Sequence, residues 1–178
     1  MNEILIIDNF LSKIGCDEII DLFKSTPIKL SKSTTPGHIF WKNRMRVPIY
    51  SEHIYNKIYD ERLKVTTQFF NEDLEIEYLH LVIWNVNQFM PLHNDSGINN
   101  YFHYRKYASL LYLNDDYDGG EICIPELNFK HKPKAGQLVS FPGIKYSHSV
   151  NKIERNPRYT SVCWFKEINN GNTRKMEN

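Results

Sequence analysis

The sequence predicts a mainly β domain of the α+β class, with helices first and a β-rich core after them, for three reasons. Before residue 74, apolar residues recur at helical spacing in two stretches. From residue 74 onward the pattern shortens to alternating or compact apolar runs, divided by clusters such as "NDDYDGG" and "KPKAG". No helical stretch separates those runs, so an antiparallel sandwich or barrel is expected rather than a parallel α/β sheet.

Taken in order, "EILIID" at 3–8 is a short β-rich run, and "SKIGCDEIIDLFKS" carries apolar residues at 14, 19, 20 and 23, an approximate helical stripe. A polar, breaker-rich loop follows at 31–37, then the mixed stretch "HIFWKNRMRVPIY". "SEHIYNKIYDERLKVTTQFF" opens on Ser51, a suitable cap, and repeats apolar residues at 54, 55, 58, 63, 65, 69 and 70, so the longest helix is expected there. Strands are then expected at "LEIEYLHLVIWNV", "YASLLYL", "EICI", "LNFKHK", "QLVSF" and "RYTSVCWF".

With 178 residues the chain suits one domain over 1–178, able to bury a core without disulfides. Its parts are a flank of strand and helices (1–73), the β core (74–166) and a tail (167–178). Lys+Arg 22 against Asp+Glu 21 removes any broad cationic surface, so nucleic acid is not an expected partner. The first residues have an acid at position 3 and only a short apolar run, unlike a signal peptide, and no run approaches a membrane span. Cys16, Cys123 and Cys163 are odd in number and far apart, against both a disulfide framework and a zinc knuckle. The expected setting is reducing, intracellular and cytoplasmic, without membrane contact.

The chemistry concentrates in "MPLHNDSG", where His93 precedes Asp95 by two residues. With 7 histidines and 21 acids, about 0.8 His-x-Asp/Glu triplets arise by chance, so the triplet alone could be a polar turn. In a strand, however, residues i and i+2 project to one side, which is chelating geometry. His148 follows 55 residues later, after an "FPG" turn. Two imidazoles and a carboxylate on one face leave metal positions open, as non-haem Fe(II) requires, although zinc hydrolysis uses similar ligands. In "RNPRYTSVCWF", an inward Arg158 would share its side with Thr160, Val162 and Trp164, placing a carboxylate-gripping fork at the mouth of an apolar pocket.

His93-x-Asp95, His148 and Arg158 ten residues further on resemble the signature of Fe(II)/2-oxoglutarate-dependent oxygenases of the prolyl 4-hydroxylase-like group. "IIDNFLSKIGCDEII", "LLYLNDDYDGGEICIP" and "KPKAGQLVSFPG" extend the resemblance over the N-terminal segment and about residues 80–166. It implies a double-stranded β-helix, or jelly-roll, with His93, Asp95 and His148 as metal ligands. It further implies that Arg158 binds the distal carboxylate of 2-oxoglutarate and that Tyr112 adds a hydroxyl contact. Trp84 stands about where family members often carry a tyrosine facing the co-substrate; an indole donates one hydrogen bond and accepts none. The implied cofactors are Fe(II), 2-oxoglutarate and O2, with ascorbate as reductant. The implied activity is hydroxylation of an unactivated C–H bond coupled to decarboxylation of 2-oxoglutarate to succinate and CO2, with a prolyl residue of a peptide or protein as the leading substrate. Free amino acids or small metabolites are the alternative on the same scaffold, and a non-catalytic cupin-like metal or sugar binder is the rival of another class.

Residues 96–107 suit a lid over substrate, and 31–46 a second part of its rim. Arg155 or Lys152 compete with Arg158 for the clamp, and Tyr112 competes as a core residue. His38, His53, His80, His103 and His131 lack a partner at chelating spacing, and the cysteines read as packing residues.

Overall fold

The computed structural model of the protein describes residues 3–25, 57–97, 99 and 101–168. Strand β1 (Leu5–Ile7) leads into helix α1 (Lys13–Ser25), and a π-type turn (Lys57–Glu61) leads into helix α2 (Arg62–Phe70). The core strands are β2 (Leu74–Trp84), β3 (Met90–His93), β4 (Arg105–Tyr112), β5 (Asp118–Gly119), β6 (Ile122–Ile124), β7 (Phe129–His131), β8 (Leu138–Phe141), β9 (His148–Val150), β10 (Ile153–Arg155) and β11 (Arg158–Glu167).

Two antiparallel sheets result. The major sheet runs β1-β8-β4-β11-β2 and the minor sheet β3-β9-β6-β7, with β10 and β5 as a separate ribbon. This is the expected jelly-roll, and its alternation explains the compact apolar runs. Both faces of the major sheet are covered, so inward and outward positions are apolar alike. Val82, Trp84, Ala108, Tyr112, Val139, Phe141, Val162 and Trp164 point between the sheets, where they meet Met90, Ile122, Ile124 and Val150. The alternate residues Leu81, Ile83, Leu111 and Leu138 face Cys16, Ile19 and Ile20 of α1 and Ile58. One polar pair on the buried faces closes across strands: Ser140 Oγ donates to Ser109 Oγ at 2.8 Å, at directly opposed positions.

The N-terminal helices differ from expectation in detail. Ser12 caps α1, its Oγ accepting from the Gly15 N–H at 3.2 Å. The buried face of α1 uses Cys16, Ile19 and Ile20, an i, i+3, i+4 set, whereas Ile14 of the expected stripe is 73% exposed. Of the helix expected over 51–70, residues 51–56 lie outside the described residues; the described part is the π-type turn continued directly by the nine residues of α2. Helix α2 stops at Asn71, which takes the left-handed conformation (φ 53°) and donates its N–H to the Thr67 carbonyl.

Cys16 and Cys163 are buried packing residues, as expected, whereas Cys123 on β6 is half-buried beside the Asn151 side chain. Burial pushes the Cys16 thiol up to about 11 and the Cys163 thiol up to about 12, the latter partly opposed by the charge of the buried Arg62. Thiols held that high supply almost no thiolate at neutral pH. No described helix is long and apolar enough to cross a membrane.

Two of the three isoleucines of α1 offer a direct test of the core. Ile19→Ala removes a fully buried side chain and should cost about 2–4 kcal/mol in urea unfolding, while Ile14→Ala should change stability by less than about 0.5 kcal/mol.

Candidate active site

Strand pairing creates the first half of the site. β3 and β9 run antiparallel in a register that sets His93 directly opposite His148, bringing their rings to 4.3 Å between centroids. Each Nδ1 lies beside the carbonyl two residues earlier, His93 at 2.9 Å from the Pro91 oxygen and His148 at 3.2 Å from the Tyr146 oxygen. A carbonyl only accepts, so Nδ1 carries the proton in both rings and Nε2 presents its lone pair. Both Nε2 atoms face Asp95 Oδ1, at 4.0 Å from His93 and 3.7 Å from His148.

Asp95 lies in the turn after β3. Its N–H donates to the Gly143 carbonyl at 2.9 Å, which ties this turn to the β8–β9 loop. The "FPG" turn therefore places the carboxylate as well as the second histidine. Asp95 is 8% exposed, and its Oδ2 is buried without a hydrogen-bond partner. A buried carboxylate oxygen left so is costly, and a cation between the three side chains would remove the cost. Their candidate ligand atoms lie within 4.8 Å of one another, and no other such group occurs among the described residues. Two imidazole nitrogens and one carboxylate suit a divalent first-row metal with open positions.

The second half lies deeper in the same inter-sheet layer. Arg158 opens β11 on the inward face shared with Thr160, Val162 and Trp164, as the strand reading expects. It is not at the mouth, however: it is fully buried. Opposite it across the β2–β11 pair stands Trp84, and Thr160 stands opposite Tyr112 on β4. The guanidinium carbon is 4.9 Å from the Tyr112 ring centroid and 5.9 Å from that of Trp84. Trp84 thus walls the guanidinium, a cation–π arrangement.

Among the described residues, none of the three Arg158 nitrogens meets an acceptor in good hydrogen-bond geometry, and the hydroxyls of Tyr112, Tyr117 and Thr160 find no partner beyond the approach of the two phenols to the guanidinium itself. Several donors around no acceptor is the inverse of an ordinary buried network. Burial pushes the Tyr112 phenol up and the Tyr117 phenol up to about 12, opposed in both by the charge of Arg158, so both remain protonated at neutral pH. The competing clamp residues are elsewhere: Arg155 is exposed and paired with Asp118 at 2.7 Å, and Lys152 is exposed.

Asn114 holds this half in place. Its Nδ2 donates to the Pro157 carbonyl at 2.8 Å and to Asp116 at 2.7 Å, while its Oδ1 accepts the Tyr159 N–H at 2.8 Å. The turn after Tyr112 is thereby tied to the residues on either side of Arg158.

Of the expected lid at 96–107, residues 105–107 are the start of β4. The preceding turn is pinned to the core: Arg105 stacks its guanidinium between Phe102 (3.8 Å) and Trp164 (4.4 Å) and donates to Glu77 at 3.0 Å. Tyr101 projects to solvent at 72% exposure. The second rim candidate, 31–46, lies outside the described residues, as do His38 and His53. His80 packs against Tyr78 and Trp164, and His131 lies 2.5 Å from the Gln137 side-chain oxygen, so neither joins the site. Sequence reasoning missed Tyr117 and Gly143. The only signal for Tyr117 was an aromatic inside an otherwise acidic, glycine-rich turn.

A model of the 2OG-Fe(II) oxygenase superfamily matches residues 79–166, the stretch that carries both halves of the site. Prolyl 3-hydroxylase 2 of Mus musculus is 28% identical over 148 residues, covering 67% of this chain. The chain spans about a fifth (21%) of the length of that relative. Among solved structures, a viral collagen prolyl hydroxylase from Paramecium Bursaria Chlorella virus-1, in complex with 2-oxoglutarate, aligns with TM-score 0.67 at 19% identity, covering 94% of this chain and 97% of the other. A prolyl hydroxylase from Trichoplax adhaerens, in complex with a hypoxia inducible factor peptide fragment, aligns with TM-score 0.67 at 18% identity over 94% and 84%. The His-Asp-His cluster, the buried arginine and most of the jelly-roll strands fall within residues 79–166, and that stretch belongs to the 2OG-Fe(II) oxygenase superfamily, with a likeness to prolyl hydroxylases in sequence and fold.

Proposed function

We propose that this chain, as one domain, is a dioxygenase that hydroxylates a prolyl residue of a peptide or protein, with His93, Asp95 and His148 as its iron ligands. The observation that carries this reading is the pairing of an orphaned cation-binding triad with an orphaned, donor-rich pocket in one inter-sheet layer. A metal-binding protein without catalysis would have no use for the second element. Iron bound with 2-oxoglutarate and O2 supplies the chemistry: the co-substrate is decarboxylated to succinate and CO2, and one oxygen atom enters a substrate C–H bond.

The protein's share is placement. Arg158 presents a fixed fork to the far carboxylate of 2-oxoglutarate, Tyr112 adds a hydroxyl donor, and Trp84 closes the wall behind the guanidinium. Burial on all sides excludes water from that contact and strengthens it. Donation from both Nδ1–H groups to backbone carbonyls keeps the two imidazoles in their metal-binding tautomer.

A peptide substrate is favoured over an enclosed metabolite by the rim. Tyr101, in the segment that joins the ligand-bearing end of β3 to β4, is 72% exposed, an aromatic surface that an extended chain can meet. The sequence relative is named a 3-hydroxylase, so a panel of proline-containing peptides followed by analysis for 3- and 4-hydroxyproline decides the ring position. Succinate release without hydroxyproline on any peptide, together with turnover of a free amino acid, would sink the peptide reading.

Anaerobic addition of Fe(II) and then 2-oxoglutarate should produce the visible charge-transfer band of the chelate. Arg158→Ala should weaken 2-oxoglutarate binding by about 100-fold or more, the loss of two charge-assisted hydrogen bonds. A band that forms equally well in Arg158→Ala removes the clamp assignment.

Gly143 supplies a separate check on the metal half. A Cβ there would lie 2.0 Å from Asp95 Oδ2 and 3.1 Å from the Ala108 Cβ, leaving the carboxylate no room. Gly143→Ala should therefore weaken Mn(II) or Fe(II) binding by about 10- to 100-fold in calorimetric titration, as disturbed outer partners of metal sites commonly do.

A further inference from the structure

We propose that Tyr117 is an additional co-substrate-positioning residue, whose buried hydroxyl joins Arg158 and Tyr112 in holding the far carboxylate of 2-oxoglutarate. This rests on the dioxygenase reading above and extends it to a side chain outside the three strands that carry the other contacts.

Four observations converge. First, Tyr117 belongs to an acidic turn between β4 and β5, yet it is 1% exposed and packs in the inter-sheet cluster with Trp84, Tyr112 and Ile153. A tyrosine drawn from a polar turn into a core would ordinarily hydrogen-bond its hydroxyl to a protein group. This one finds no acceptor among the described residues: its oxygen is buried, and the group it approaches is the Arg158 guanidinium.

Second, Gly120 shows what Tyr117 adjoins. A Cβ on that residue would meet Tyr117 Cε2 at 2.9 Å and Arg158 Cδ at 3.2 Å, so the ring edge and the arginine stem converge on the same point. Gly120 also has φ 68°, which strains a side-chain-bearing residue. The glycine lets the ring and the guanidinium stem close together.

Third, the ring is fixed from outside. Lys132 sets its Nζ 3.9 Å from the Tyr117 ring centroid and donates to the carbonyls of Tyr117 (2.6 Å) and Gly119 (2.8 Å). An ammonium over the ring, bonded to the carbonyl of Tyr117 and to that of Gly119 two residues on, leaves the phenol little freedom to turn away.

Fourth, the neighbouring polar atoms need an acceptor and contain none. Arg158, Tyr112, Tyr117 and Thr160 offer donors only toward one another, apart from hydroxyl lone pairs. One carboxylate, with four lone-pair sites on two oxygens, accepts from a guanidinium and from two phenols at once. The acid must be the distal group of the ligand, because the other end is occupied in chelating the metal.

The test compares two 2-oxo acids on the anaerobic, Mn(II)-loaded protein by calorimetry. 2-Oxoglutarate reaches the pocket; 2-oxobutyrate offers the same chelating end and no second carboxylate. Tyr117→Phe keeps the ring and deletes the hydroxyl. It should weaken 2-oxoglutarate by about tenfold, the worth of one hydrogen bond to a charged group, and leave 2-oxobutyrate within about twofold of wild type. Equal binding of 2-oxoglutarate by Tyr117→Phe and wild type overturns the proposal, and so does an equal loss for both acids, which would give Tyr117 a framework role alone. Arg158→Ala and Tyr112→Phe run beside it. If the wild type takes up no 2-oxoglutarate, or Arg158→Ala binds it undiminished, the dioxygenase reading falls as well; if those two behave as expected, a null result at Tyr117 strikes this inference only.

Discussion

A guanidinium sealed between two β-sheets with no carboxylate beside it is the constraint around which this domain is arranged. Removing such a charge from water costs several kcal/mol even after relaxation, and Arg158 has no counter-charge in hydrogen-bonding contact to offset it. The surrounding groups do not supply one: two phenols, a threonine hydroxyl and an indole wall can share or screen the charge but not neutralise it. The fold holds this unfavourable arrangement through backbone that is independently secure. Arg158 is the first residue of a ten-residue strand paired on both sides, and Asn114 bonds to the residues before and after it. A dicarboxylate entering the layer supplies the missing charge, so the protein's stability and its ligand occupancy are linked.

The metal half follows a similar logic with the opposite sign. Asp95 is a buried carboxylate with one oxygen unpartnered, and the two imidazoles beside it turn lone pairs, not protons, toward it. A cation would complete this half, as an anion would complete the pocket at Arg158. The β3–β9 register is decisive: moving one strand by a single residue would send His93 and His148 to opposite faces and dissolve the cluster. A carboxylate with two imidazole lone pairs and a buried guanidinium in one layer suit a single complex of metal and dicarboxylate.

Orphaned polar atoms do not by themselves define a site. Arg62 is also fully buried, with Cys163 as its neighbour. It lies on the helix-covered face of the major sheet, away from the triad, and converges with no set of phenols. Arg158 differs through its place in the inter-sheet layer and through the chemistry of what surrounds it.

Much of this was legible in the chain itself, and the limits have physical causes. The change from helical to strand periodicity near residue 74 located the core, because side-chain spacing reports which face is buried. His93, Asp95, His148 and Arg158 were legible from their types and spacing. Helix α1 was located correctly but rotated wrongly, since Ile14 and Cys16 both satisfy an apolar stripe and only the sheet beneath chooses between them. The depth of Arg158 depends on strands flanking it from residues 74 and 105 onward, and no local pattern carries that information. Tyr117 and Gly143 were invisible for the same reason: one enters the core from an acidic turn, the other matters through an atom it lacks. The sequence by itself determined the elements, their order and the chemical identities of the site, because those follow from local periodicity and residue type. Tertiary structure alone decided register, depth and convergence, because these arise from contacts between segments tens of residues apart.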